Sequence, residues 1–331
     1  MRHRTWRWIA LGAVLTLALA ACSDVEDPEE GDSATGATDG ATTEAAQCGD
    51  ETITIAVNPW TGAAVNAHVA KTVMEQEMGC TVELVDMDEF AQFPALAQGD
   101  VDATLEVWPS GHAKDHKQYI EGDAGVVDGG ELGVIGNIGW FTPTYVVEEN
   151  PEAASWETLK GNEDIYDNTF LGADPTFSIF DEEIAENLEL DLEVTYSGSE
   201  AASLAALDQA YQNEEPILMY FWSPHWAQAK YELTEVELPP YDDACAEAAT
   251  NEDGDGYACD YAPDNLYKAF SDQLETKDPA AFEFLSNLEY TNDDQNGIAL
   301  AVDDGGESLE DAAQAWVDEN EDVWSAWLPA A

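Results

Sequence analysis

Four tryptophans, Trp60, Trp108, Trp140 and Trp222, stand at turns that follow strand-like runs of the chain. A large aromatic left wet at a strand end is unfavourable, so each needs core or ligand to cover it. Packing accounts for any one of them; four in equivalent positions point to a shared cleft. The chemistry of such a cleft is electrostatic. The face of an indole attracts a cation by ~0.5–1 kcal/mol when exposed and by ~2 kcal/mol or more when desolvated. A quaternary ammonium group has no N–H to donate, so π-faces suit it better than carboxylates do. Other tryptophans have other places. Trp6 and Trp8 lie in the N-terminal leader. Trp316, Trp324 and Trp327 fall on an apolar stripe with Leu309, Ala312, Ala313 and Val317, where packing is expected.

The elements that must position these residues alternate in type. Thr52–Val57 predicts a strand, followed by an Asn-Pro-Trp-Thr-Gly loop and a helix over 63–78 through Val65, Val69, Val73 and Met74, stopped at Gly79. A strand over 81–85, a short helix over 93–98 and a strand over 104–107 come next, the last delivering Trp108. This rhythm predicts a parallel α/β sheet, whose ligands bind beyond the carboxyl ends of the strands. A second α/β set begins after Trp140. It has strands over 170–173, 193–196 and 217–222 and helices over 178–188 and 201–212.

Charge limits the partners. All three arginines lie within the first seven residues, so the chain from Cys22 onward keeps 7 lysines against 70 acidic residues, a formal charge of −63. Such a surface repels nucleic acid and anionic lipid. Without arginine there is no guanidinium fork for carboxylate or phosphate. A salt-adapted surface has the same composition, and screening by salt would relieve its self-repulsion.

The N-terminus reads as an export signal over residues 1–21. A basic start at Arg2, His3, Arg4 and Arg7 precedes an apolar run of about 14 residues, short of the ~20 a membrane-spanning helix needs. Leu19-Ala-Ala-Cys22 resembles a bacterial lipobox, with Cys22 the lipidated residue. The acidic, Gly/Ser/Thr-rich segment 22–47 is expected to be a flexible tether, reaching roughly 25–30 Å. The location this implies is the outer face of the cell membrane. Four cysteines remain, allowing three pairings in an oxidising compartment, and the pairs nearest in sequence are favoured: Cys48–Cys80 and Cys245–Cys259. No Cys-x-x-Cys pair suggests zinc. Asn251-Glu-Asp-Gly-Asp-Gly256 looks like part of a calcium loop, but its twelfth position is Ala262 where an EF-hand needs glutamate, so neither metal nor cofactor is expected. There is no Gly-x-Ser-x-Gly elbow and no His-Glu-x-x-His pair, which argues against a hydrolase.

Five segments together resemble the glycine betaine, proline betaine and choline substrate-binding proteins of ABC importers. They are Asn58-Pro-Trp-Thr-Gly62, Leu96-Ala-Gln-Gly-Asp-Val-Asp102, Glu106-Val-Trp-Pro-Ser-Gly-His112, Ile135-Gly-Asn-Ile-Gly-Trp140 and Tyr220-Phe-Trp-Ser-Pro-His-Trp226. The resemblance implies a two-lobed periplasmic-binding-protein-like α/β fold, each lobe a mixed sheet flanked by helices, closing at a hinge over one ligand. One lobe would hold residues 48–138 and 243–331, the other 139–242. It implies a non-catalytic capture subunit whose partners are a small quaternary-ammonium ligand and a membrane permease with its ATPase. A ligand-sensing lipoprotein without a transport role is the alternative. Glycine betaine, proline betaine, choline and carnitine are all candidate ligands. The resemblance also places Trp60, Trp108, Trp140 and Trp222 in the cage and gives His112 a ligand carboxylate to contact. Asp174 and Pro175 precede a predicted helix, so backbone N–H groups near Ser178 and Ile179 would receive that carboxylate. Phe177 stands where some relatives have tryptophan. If such an anion pocket exists, glycine betaine should bind more tightly than choline.

Overall fold

Thr-Ile-Thr-Ile-Ala-Val, β-branched at five of its six positions, forms β1 (Thr52–Val57) in the computed structural model of the chain. The structure describes residues 45–177, 179–251 and 256–331. After β1, α1 (Thr61–Glu77) buries Val65, Val69, Val73 and Met74 on one stripe, and Gly79 turns the chain out at φ 66°. Then come β2 (Thr81–Asp86), α2 (Glu89–Gln98) and β3 (Ala103–Val107). Both β2 and β3 pair parallel with β1. The Gly-Asp-Val-Asp segment secures this set. Gly99 ends α2 in the left-handed region at φ 73°, and Asp102 Oδ2 accepts from Thr54 N at 2.7 Å and from Lys277 Nζ at 2.7 Å.

The next strand, β4 (Val126–Pro143), is 18 residues long and runs from one half of the molecule to the other. The second half repeats the first. β5 (Thr169–Gly172), β6 (Glu193–Tyr196) and β7 (Met219–Ser223) alternate with helices Asp181–Asn187 and Glu200–Asn213, and β6 and β7 flank β5 in parallel. β8 (Leu233–Glu235) adds to β4, and β9 (Asp264–Ser271) returns to the first half. The strand path is β2-β1-β3-β9-β4-β7-β5-β6. Val126 to Gly136 of β4 pair antiparallel with β9, while Asn137 to Phe141 pair antiparallel with β7. The fold is mixed α/β, with two parallel sets joined through antiparallel strands, where the sequence pattern alone suggested a parallel sheet.

The C-terminal tryptophans pack. Trp316 and Trp327 stack at 5.9 Å beside Tyr290, and Trp324 Nε1 donates to Val317 O at 2.8 Å. Disulfides join Cys48 to Cys80 and Cys245 to Cys259. Ala45 bridges to Ala330 and Ala46 N donates to Pro329 O at 2.9 Å, so these two residues of the expected tether are held against the C-terminus. The signal, Cys22, the rest of the tether and acidic residues 252–255 lie outside the described residues. Among those described, no helix is long and apolar enough to cross a membrane.

Candidate functional site

The carboxyl ends of β1 and β3 deliver Trp60 and Trp108 to one cavity, and β7 closes it from the other half. Alternation along β7 turns Tyr220 and Trp222 to the same face and Phe221 to the other. Register pairs Trp222 with Ile138 of β4. Phe177, in the turn before the helix Asp181–Asn187, completes the aromatic wall. The cavity is lined by Trp60, Glu89, Trp108, Ile138, Phe177, Tyr220 and Trp222. The rings brace one another. Phe177 meets Trp60 edge-on at 5.3 Å and Trp222 at 6.1 Å, both near the T-shaped geometry aromatic quadrupoles prefer.

A buried carboxylate fixes two of these indoles. Glu106 sits two residues before Trp108 on β3, hence on the same face. Its Oε1 accepts Trp60 Nε1 at 2.7 Å and Trp108 Nε1 at 3.0 Å. Its Oε2 accepts Asn66 Nδ2 at 2.6 Å and Gln295 Nε2 at 2.7 Å. Burial pushes the Glu106 carboxyl up to about 7, against these four donors, which favour the ionised form. The Trp108 ring also needs Gly136. A Cβ there would stand 2.3 Å from its Cζ3, so any other residue would displace the indole.

Three of the expected site residues lie elsewhere. Trp140 shares the sheet face with Ile138 and sits across from Tyr220, but it is wholly buried beyond the cavity. Its Nε1 donates to Asp181 Oδ1 at 2.8 Å and its ring lies 4.5 Å from that of Phe170, so it is core. His112 is also wholly buried and does not line the cavity. Its Nδ1 is 2.9 Å from Asp115 Oδ2, and its Nε2 is 3.3 Å from Glu89 Oε2, an ion-pair distance without hydrogen-bond alignment. Burial alone would lower its pKa, but Glu89 and Asp115 outweigh that and push it up to about 9. Its ring is committed to two carboxylates of the protein and is not open to a ligand's. Ile179 is no part of the cavity wall, and Ser178 lies outside the described residues. The helix expected from 178 begins at Asp181, with Asp181, Glu182 and Glu183 in its first turn, which makes that end a poor receiver of an anion.

Glu89, Ile138 and Tyr220 were not singled out by sequence reasoning. Period-two alternation through Trp222 marks Tyr220. Asp88, whose side chain accepts from Phe90 N at 2.8 Å as the cap of α2, marks Glu89 as the first helical residue.

The family described as the substrate binding domain of ABC-type glycine betaine transport systems matches residues 51–319. The chain belongs to this family. Among relatives of this substrate-binding domain, the trimethylamine N-oxide-binding protein of Pelagibacter ubique (strain HTCC1062) is 26% identical over 289 residues, covering 82% of this chain and 89% of its own. Two solved structures share its fold. Lactococcal OpuAC, closed and liganded with glycine betaine, superposes with a TM-score of 0.68 at 21% identity, over 84% of this chain and 100% of that one. An ABC-transporter choline-binding protein in complex with choline gives 0.70 at 20% identity, over 84% and 93%. At these identities the likeness is one of fold, and that fold is the two-lobed α/β architecture of periplasmic binding proteins.

Proposed function

We propose that this substrate-binding domain captures a small quaternary-ammonium compound between Trp60, Trp108, Phe177, Tyr220 and Trp222 and hands it to a membrane permease, catalysing no reaction itself. The reading rests on convergence: five aromatic side chains, two of them oriented by one carboxylate, line one cavity. Each desolvated face adds ~2 kcal/mol toward a cation. In this reading residues 48–138 and 243–331 form one lobe and 139–242 the other, with the ligand between them. Export by the leader and anchoring through Cys22 would hold the domain at the outer face of the membrane, within reach of the permease.

The test is titration by tryptophan fluorescence with choline, glycine betaine and carnitine. At least one should change the emission saturably. Replacing Trp108 or Trp222 by Ala should weaken that ligand at least tenfold, about 1.4 kcal/mol. Unchanged affinity in both variants contradicts the reading.

A further inference from the structure

Among the described residues that line the cavity, the one charged side chain is Glu89, the first residue of α2 and only 3% exposed. Its two oxygens differ. Oε2 faces His112 at 3.3 Å, while Oε1 is buried and has no hydrogen-bond partner among the described residues. A buried carboxylate oxygen without a partner is unfavourable by several kcal/mol, and such groups are rare unless something else satisfies them. His112 is itself braced from the far side by Asp115 at 2.9 Å and packed between Phe90 and Phe93, so it fixes Glu89 in place without entering the cavity. None of the seven lining residues carries a positive charge.

We propose that Glu89, backed by His112 and Asp115, is the specificity-determining residue of this cavity, selecting a quaternary ammonium whose other end carries a hydroxyl over one that ends in a carboxylate. The proposal rests on the reading of the aromatic cavity as a quaternary-ammonium site and goes beyond it in saying which member fits. A ligand O–H donated to Oε1 satisfies the orphaned acceptor with a charge-assisted hydrogen bond. The ligand's own positive charge, held against the rings within the same small cavity, compensates the carboxylate. A betaine brings the same cation together with a second carboxylate. Two carboxylates in one dry cavity repel, and one of them must take up a proton or stay out. The cavity offers no lysine, arginine or free imidazole to offset that repulsion. Specificity of this kind comes from what disfavours the wrong ligand as much as from what attracts the right one. Trimethylamine N-oxide, whose oxygen only accepts hydrogen bonds when unprotonated, falls with the betaines on this argument.

Calorimetric titration of the protein with choline, glycine betaine, trimethylamine N-oxide and tetramethylammonium tests it, with tetramethylammonium reporting on the aromatic walls alone. The expected result is choline binding at least tenfold tighter than glycine betaine and than trimethylamine N-oxide. In Glu89→Gln the choline-to-betaine ratio should narrow to within about threefold, chiefly through weaker choline binding. Glycine betaine or trimethylamine N-oxide binding as tightly as choline, with tetramethylammonium still bound, overturns the proposal and leaves the aromatic site standing. A ratio unchanged in Glu89→Gln does the same. Failure of all four ligands to bind overturns the aromatic site and this proposal with it. The wild-type ratio needs no variant, so poor folding of Glu89→Gln does not shelter the proposal.

Discussion

Glu106 does for the cavity what no aromatic residue can do for itself: it sets the angle of two indoles. All four of its contacts come from N–H donors, and a neutral amide in its place would turn an NH₂ group toward two of them. Glu106→Gln should therefore weaken ligand binding at least tenfold, about 1.4 kcal/mol, as read by calorimetry. With its carboxyl pushed up to about 7, protonation below that pH displaces one of the donors. Wild-type affinity should fall as pH drops from about 8 to about 6, and the Gln variant should show no such slope. A pH-independent wild-type affinity contradicts this role. Trp60, Trp108 and Trp222 were legible because aromatic residues at strand ends are conspicuous, and Phe177 through the family resemblance. Glu89 and Glu106 were not, because in a chain with 70 acidic residues neither stands out from a solvated surface. Trp140 misled for the opposite reason. It lies on the same strand as Ile138, but it finds a buried acceptor in Asp181 and a ring in Phe170, and a sequence shows neither.

At the scale of elements, the Tyr-Phe-Trp-Ser-Pro-His-Trp segment serves twice. Tyr220 and Trp222 face the cavity, while Trp226 reaches across to the first half of the molecule directly and His225 does so through Glu200. His225 Nε2 lies 3.0 Å from Glu200 Oε1, and Glu200 Oε2 accepts from Thr61 N at 2.7 Å. Trp226 Nε1 donates to Asp303 Oδ2 at 2.8 Å, and Thr61 Oγ1 donates to Asp303 Oδ1 at 2.9 Å. Thr61 immediately follows Trp60, so this chain of bonds ties the loop carrying one cavity wall to the strand carrying another. Glu200→Ala should loosen the closed arrangement, raising the ligand dissociation rate several-fold in stopped-flow fluorescence with little change in association rate. An unaltered dissociation rate contradicts the latch. Regular elements were legible where periodicity was clean, as in β1, α1 and β6. The long strand β4 was not. Gly129, Gly130, Gly133, Gly136 and Gly139 interrupt its alternation, and two register shifts against β9 break its period, so the pattern reads as loop. Helix α2 begins four residues before the expected 93, where Asp88 supplies the cap.

Over the whole molecule, charge and burial point the same way with pH. Burial pushes Glu106 and Asp181 up to about 7, and His112 is pushed up to about 9. A group whose pKa is higher folded than unfolded contributes stability that is present at low pH and lost as pH rises through the folded value. For the two acids that window runs from about 4 to about 7, and for His112 from about 6.5 to about 9. Thermal unfolding should accordingly occur at lower temperature at pH 8.5 than at pH 5.5, by roughly 5 °C or more; an increase over that range contradicts the assignments. The two-lobed α/β organisation was legible in the alternation of elements and in the five motif segments together. How the two sets join was not, since that depends on long-range pairing of β4 with β9 and β7. Recognition of positive charge by the aromatic cavity can be isolated with a matched pair of ligands. Choline and its uncharged isostere 3,3-dimethyl-1-butanol have the same shape and hydroxyl and differ only in the quaternary nitrogen. Calorimetry should find choline bound at least about a hundredfold more tightly, a difference of about 2.7 kcal/mol. Equal affinity for the two would mean that the rings supply only an apolar surface, and the account would be wrong.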